Sequence, residues 1–164
     1  MPKWYLKNEN YILDKTTSEL LNKIGDSALQ TSDVPVAAII LYDGKIIGKG
    51  YNTAVRNKKV GEHAEINALS DALCHIGSDS FNRLDRNKLI LLTTWEPCLM
   101  CEGAIINAYI KHVAIVKAKS LKSLFESAKM KFLYYWNRQV SESDTLQMNL
   151  FKKHPAYEKN KSKL

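Results

Sequence analysis

No stretch of this 164-residue chain approaches the roughly 20 consecutive apolar residues that a membrane-spanning helix requires. Cysteine is scarce, three in all. An odd count that small argues against a disulfide framework and leaves metal binding as the better use for the thiols. The first residues, Met1-Pro2-Lys3-Trp4-Tyr5-Leu6-Lys7, mix polar and aromatic side chains and lack the apolar core of a secretory signal. Internal repeats, Gly/Ser-rich linkers and low-complexity tracts are missing as well. These absences set aside membrane-spanning, disulfide-scaffold and repeat architectures. The expectation is a cytoplasmic protein with no membrane partner.

Acidic residues are outnumbered, 17 against 24 lysines and arginines, for a net charge of +7. A basic surface attracts phosphate and is compatible with RNA, DNA or nucleotides. A lysine-rich surface that serves only solubility has the same composition, and no arginine-rich or aromatic-interleaved patch separates the two. The hydrophobic fraction of 45% is that of a globular protein, and a chain of this length can bury a substantial core. One domain is expected over residues 1–155, followed by a basic tail at 156–164.

The hydrophobic pattern alternates strands and helices. Thr16-Thr17-Ser18-Glu19 reads as a capping box, and Leu20, Leu21, Ile24 and Ala28 follow at helical spacing. Val34 to Tyr42 is almost unbroken apolar, as in a strand buried on both faces. Asp43-Gly44 signals a hairpin turn, and residues 45–50 return. A polar loop at 51–61 precedes a helix over 62–74, and 75–87 reads as a loop. Strands are expected at 88–93 and 112–116, with a helix opening near Pro97 between them. Leu121, Leu124, Phe125, Ala128, Phe132 and Trp136 mark a long amphipathic helix, and residues 145–151 a short last one. The expected architecture is a three-layer α/β/α sandwich around a mixed sheet of about five strands.

The chemistry is concentrated in His63-Ala64-Glu65 and, downstream, Pro97-Cys98-Leu99-Met100-Cys101. Together they offer one imidazole, two thiolates and a carboxylate. A hydrolytic zinc site needs three protein ligands, an open fourth position and a base that moves protons. Cys98 and Cys101, three apart on a helix, present both sulfurs on one face near its first turn. His63 should open its own helix, so two helix N-termini would converge on one ion, and their positive ends favour thiolate over thiol. Glu65 lies two residues past His63 and does not share its direction. It is expected beside the ion, as the proton carrier. A closed four-ligand knuckle would need His75 or His112 as well, and His75 lies a full helix length away. Cys74 reads as a small buried thiol.

The spacing H-x-E…P-C-x-x-C is the signature of zinc deaminases. With Pro35-Val36-Ala37-Ala38, Gly50-Tyr51-Asn52 and Glu96-Pro97-Cys98-Leu99-Met100-Cys101-Glu102-Gly103-Ala104-Ile105 in the same order, the chain resembles the cytidine/deoxycytidylate deaminase superfamily. It is most similar to the branch holding tRNA adenosine deaminases and guanine deaminases, over residues 16–117. The resemblance implies one Zn²⁺ per chain on His63, Cys98 and Cys101, with Glu65 as the proton shuttle. It also implies a base site that includes Asn52, Val36, Ala37, the backbone of Ala64, Trp95, Glu96 and Pro97. The implied partners are a nucleobase-containing substrate and a second copy of the chain, in a homodimer or larger homo-oligomer. The implied reaction replaces a ring amino group by a carbonyl and releases ammonia. Adenosine in tRNA is slightly favoured. A free base, nucleoside or nucleotide of the guanine, cytosine, cytidine or dCMP type is the alternative, and a non-catalytic, zinc-stabilised nucleic-acid-binding module is the reading from another class.

Overall fold

The structure, a computed structural model, describes residues 13–117. The two helices expected beyond residue 120 and the domain limit near 155 lie outside the described residues. Within them, the element order is α1 (Lys15–Leu29), β1 (Ala37–Tyr42), β2 (Lys45–Tyr51), α2 (Ala54–Asn57), α3 (Ala64–Ile76), α4 (Ser78–Arg83), β3 (Leu89–Trp95), α5 (Leu99–Asn107) and β4 (His112–Lys117).

The four strands stand in the order β2-β1-β3-β4. β1 pairs antiparallel with both β2 and β3, and β3 pairs parallel with β4. The count among the described residues is four, against an expectation of about five. β1 is central, which is why its sequence, Ala37-Ala38-Ile39-Ile40-Leu41, is apolar at consecutive positions: all five are buried. Alternate side chains feed two cores. Ala37, Ile39 and Leu41 join Leu92 and Leu21 of α1 on one face. Ala38 and Ile40 join Leu89, Leu91, Ala64, Ala68, Leu69 and Ala72 of α3, Phe81 of α4 and Ile105 of α5 on the other. Each fully buried leucine or isoleucine stabilises the fold by about 1.5–3 kcal/mol relative to exposure. Helices on both faces of a mixed sheet make the three layers expected.

Several local expectations shift. Asp14, not Thr16, caps α1: its Oδ1 accepts the N–H of Thr17 at 2.8 Å, and its Oδ2 accepts the Thr17 hydroxyl at 2.6 Å. An ionised carboxylate two residues upstream outcompetes the threonine hydroxyl for the orphan N–H groups. β1 begins at Ala37 rather than Val34, because Pro35 has no N–H to give a ladder. The Asp43-Gly44 turn is as expected: both residues have positive φ, 50° and 77°, as a type I′ hairpin requires. The loop at 75–87 contains α4. Its polar composition hides a helix that exists because Phe81, 2% exposed, is anchored in the α3-side core.

The packing of α3 on β2 depends on two glycines. A Cβ at Gly48 would stand 2.4 Å from the carbonyl oxygen of Ala68, and one at Gly50 2.4 Å from the Ala68 nitrogen. Ala64, Ala68 and Ala72, four apart and each 0% exposed, form the matching flat stripe of the helix. Backbone therefore lies on backbone, and the start of α3 is fixed against the end of β2.

Candidate active site and metal centre

The close approach at Gly50 brings the first turn of α3 to the sheet margin where β1 begins and β2 ends. His63 is the N-cap of α3, with extended backbone (φ −77°, ψ 161°). Cys98 is the N-cap of α5, in nearly the same conformation (φ −79°, ψ 168°). An N-cap side chain ordinarily turns back to accept a backbone N–H. Neither of these does. They meet each other instead: His63 Nδ1 lies 3.5 Å from Cys98 Sγ and 3.6 Å from Cys101 Sγ, and the two sulfurs are 3.6 Å apart.

The triangle has the dimensions of the ion its donors suit. With Zn–S near 2.3 Å and Zn–N near 2.0–2.1 Å, tetrahedral neighbours stand about 3.6 Å (N to S) and about 3.8 Å (S to S) apart. The three edges match those donor–donor separations within about 0.2 Å. His63, Cys98 and Cys101 are the only such group among the described residues, and Glu65 is not part of it. Among the described residues, no fourth protein ligand joins the group. His75 instead packs its Nδ1 against the carbonyl of Asp71 at 2.8 Å, and His112 opens β4. Cys74, expected to be buried, is exposed at the end of α3, because its position falls on the outer side of the alanine stripe.

The Cys98 thiol is lowered to about 4, first by the hydrogen bond from the Cys101 thiol and despite partial burial. The backbone N–H groups of Cys101 and Met100 at the start of α5 and the His63 ring add to the effect. Cys101 is pushed far up as the partner that keeps its proton, with burial and the Glu65 charge adding to the rise. A pair so disposed binds a divalent cation by giving up that remaining proton. The Glu65 carboxyl, 4% exposed, is raised chiefly by burial. Its own backbone N–H and the Cys101 thiol oppose the rise, and the Cys98 charge adds to it.

A cleft of about 220 Å³ opens beside the three donors, lined by Val34, Val36, Asn52, His63, Ala64, Glu65, Trp95, Glu96 and Cys98. Five of the seven residues expected at a base site lie on it: Val36, Asn52, Ala64, Trp95 and Glu96. Ala37 does not. Alternation along β1 turns it to the opposite face, into the α1 core beside Leu21, and only its backbone is near the site: its N–H is bonded to the Thr94 hydroxyl at 3.0 Å. Pro97 is fully buried and outside the lining. It precedes the N-cap rather than opening the helix, and so shapes the turn from β3 into α5. Val34, 60% exposed, is a cleft residue that the sequence reading places in the strand; Pro35, which keeps it out of the ladder, was the available signal. Asn52 is 9% exposed. Its Oδ1 accepts the N–H of Ala54 at 3.1 Å, and its own N–H bonds the carbonyl of Val36 at 3.1 Å. A larger groove, about 660 Å³ between α1, β2 and α3, contains none of these cleft residues.

Residues 12–117 match the family model described as the cytidine and deoxycytidylate deaminase zinc-binding region. A tRNA-specific adenosine deaminase of Streptococcus pyogenes is 34% identical over 108 residues, 66% of this chain and 62% of that protein. The Xenopus tropicalis protein named tRNA-specific adenosine deaminase 2 is 34% identical over 85 residues, 51% of this chain and 49% of its own. The matches thus span about half to six-tenths of these relatives' length. Among solved structures, one from a study of A-to-I editing by tRNA:A34 deaminases superposes with a TM-score of 0.55 at 30% identity, covering 62% of this chain and 75% of that one. Guanine deaminase from Bacillus subtilis superposes at 0.67, covering 88% and 97%, but at 21% identity, a likeness of fold alone. Over the segment that carries His63, Glu65, Cys98 and Cys101, this chain belongs to the zinc-binding cytidine and deoxycytidylate deaminase family.

Proposed function

We propose that this chain is a zinc-dependent hydrolase that deaminates a nucleobase, and that its substrate is adenosine within tRNA. The observation that carries the reading is the convergence of three metal donors beside one small cleft that His63, Cys98 and the buried Glu65 carboxylate line. His63, Cys98 and Cys101 would hold Zn²⁺, which when bound supplies Lewis acidity and an acidified water as nucleophile. Glu65 would take a proton from the attacking water and deliver protons to the ring nitrogen and to the departing amine. A C–O bond forms, the exocyclic C–N bond breaks, and water and the amino compound become a carbonyl and ammonia, with no net oxidation. Burial that raises the Glu65 carboxyl is what a group that must both take and return a proton requires.

Asn52 and the Ala64 backbone would orient the base. With its Oδ1 committed to Ala54, Asn52 offers its amide N–H groups as donors. Trp95, 40% exposed at the cleft, supplies a stacking face. The tRNA assignment is supported by the names of the relatives at 34% identity and by the net charge of +7. A homodimer or larger homo-oligomer is proposed from the outer face of α5. Leu99, Met100 and Ile106 there, with Tyr109 just beyond, are 47%, 40%, 50% and 61% exposed, and exposed apolar side chains grouped on one helix call for cover. The proposed compartment is the cytoplasm; no helix among the described residues is long and apolar enough to cross a membrane.

Ammonia release by the zinc-loaded protein decides the matter. The panel is adenosine, cytidine, guanine, cytosine, dCMP and a tRNA anticodon stem-loop. Inosine formed in the stem-loop, with binding that weakens steeply as salt rises, is the expected result. Turnover of a free base with little salt dependence would move the substrate to the small-molecule class. RNA binding with no ammonia from any substrate would leave a zinc-stabilised binding module. Light scattering on the same sample reads the oligomeric state.

A further inference from the structure

The Asn67 side chain, one helical turn past His63, touches three pieces of chain at once. Its Nδ2 donates to the carbonyl of Tyr51 at 2.7 Å, to the hydroxyl oxygen of Thr53 at 3.0 Å and to the carbonyl of Glu62 at 3.3 Å. Tyr51 and Thr53 are the two neighbours of Asn52; Glu62 is the residue before His63. One amide therefore fastens the chain on both sides of one cleft residue and the chain entering the other.

We propose that Asn67 is a positioning residue that sets the spacing of Asn52 and His63 across the cleft, and through it the fit of the base. The proposal rests on reading the cleft as a nucleobase site. Two further bonds close the same joint: the Thr53 N–H donates to the Glu62 carbonyl at 3.0 Å, and the Thr53 hydroxyl donates to Glu62 Oε2 at 2.7 Å. Within the intervening loop, α2 is held separately. Asp33, 2% exposed, accepts the N–H groups of Val55 at 2.7 Å and Arg56 at 3.2 Å at the start of α2. Loss of Asn67 thus loosens the joint between the two ends of the loop while the start of α2 stays anchored on Asp33. The residue type follows from the partners. Three oxygen acceptors converge on one point, and an amide nitrogen supplies donors there at the length of a two-carbon side chain. A carboxylate of the same shape would place oxygen against oxygen.

The test uses the full zinc-loaded chain and the variants Asn67→Ala, Asn67→Asp, Asn52→Ala and the double variant Asn52→Ala/Asn67→Ala. The expected result is one zinc per chain in each, with kcat/KM for Asn67→Ala lower by about tenfold or more, the change falling mainly on KM (the scale of one or two lost polar contacts). In the Asn52→Ala background the same substitution should cost less than about twofold, since residues acting through one another are not additive. Asn67→Asp should be at least as impaired as Asn67→Ala, which separates donor chemistry from side-chain volume. Amide exchange at Thr53 should speed by about tenfold or more, with the β1 amides unchanged. Equal losses in both backgrounds, or unaltered exchange at Thr53, would overturn the proposal. Should Asn67→Ala not fold, Thr53→Val removes one acceptor and must shift KM and exchange in the same direction by a smaller factor; no shift overturns it. If the wild-type chain releases no ammonia from any substrate, the functional reading fails, and the exchange rates alone decide the clasp.

Discussion

His63 Nδ1 and Cys98 Sγ lie 3.5 Å apart, though 35 residues separate them in the chain and each stands at the N-cap of a different helix. Nothing local brings them together. The contact is a product of the sheet, which fixes the starts of α3 and α5 at one margin, and of the glycine-against-alanine seam that holds α3 down on β2.

His63→Ala should abolish stoichiometric zinc. Elemental analysis after dialysis against a mild chelator is expected to fall from about one ion per chain to under about one tenth. The melting temperature of wild-type protein should rise with added zinc, by the equivalent of about 2.7 kcal/mol at a free concentration one hundred times the dissociation constant. That of the variant should not move. Full zinc in the variant would refute the assignment of the donors.

Glu65→Gln should keep the zinc and lose the chemistry. A fall in kcat of about 10²–10⁴-fold is expected for loss of a general acid–base, with metal content unchanged. In metal-free protein the same change should stabilise the fold at neutral pH. Burial raises the folded-state carboxyl, so the folded state holds its proton more tightly than the unfolded one. Stability is then lost as pH climbs above the unfolded value of about 4.3. A neutral amide escapes that loss. Thermal melts in the presence of chelator, at pH 5 and pH 8, measure it.

Gly50→Ala should damage the metal site from a distance. The added methyl would stand 2.4 Å from the Ala68 nitrogen and 2.6 Å from the Ala64 carbonyl oxygen, both backbone atoms that cannot step aside alone. Overpacking of this kind costs about 1–3 kcal/mol. Since α3 carries His63 at its first turn, zinc affinity measured by chelator competition should weaken along with stability in urea. A loss of stability with zinc affinity intact would separate the seam from the site.

Acid should loosen the loop between Asn52 and His63 through Glu62. Its carboxyl is lowered to about 2, first by the Asn57 amide, then by the Thr53 hydroxyl and Lys59. A depressed carboxylate contributes stability that is present above its unfolded value, about 4.3, and is lost as pH falls from there through about 2. In chelator-treated protein the stability gap between wild type and Glu62→Gln should therefore be open at pH 6 and closed near pH 2. A gap that does not change with pH would show that the carboxylate charge is not what Glu62 contributes.

The donors were legible in the sequence because their spacing obeys rules with few alternatives. Cys98 and Cys101 must share a helix face, and a histidine two residues before a glutamate cannot align with it. The central strand was legible because burial on both faces leaves an unbroken apolar run. Three things were not. Alternation along β1 sends Val36 to the cleft and Ala37 away from it, and the sequence Val-Ala-Ala carries no mark of which residue faces which way. The helix α4 depends on a single buried ring, Phe81, among polar neighbours. Two of the three acceptors of Asn67 are backbone oxygens, one of them 16 positions away, and the identity of a backbone acceptor leaves no trace in the sequence. Glu65, two residues past His63, is in hydrogen-bond contact with the Cys101 thiol.

The hairpin of β1 and β2 begins and ends at the cleft, with Val36 before its first strand and Asn52 after its second. Its tip, Asp43-Gly44, therefore lies a full strand length off, about 20 Å at 3.3 Å per residue, and around Gly44 there is open space. That tip is a natural attachment point. A fluorophore, an affinity handle or a tether to a surface placed there would leave substrate entry unobstructed, and would let binding at the cleft be followed from the opposite margin of the sheet.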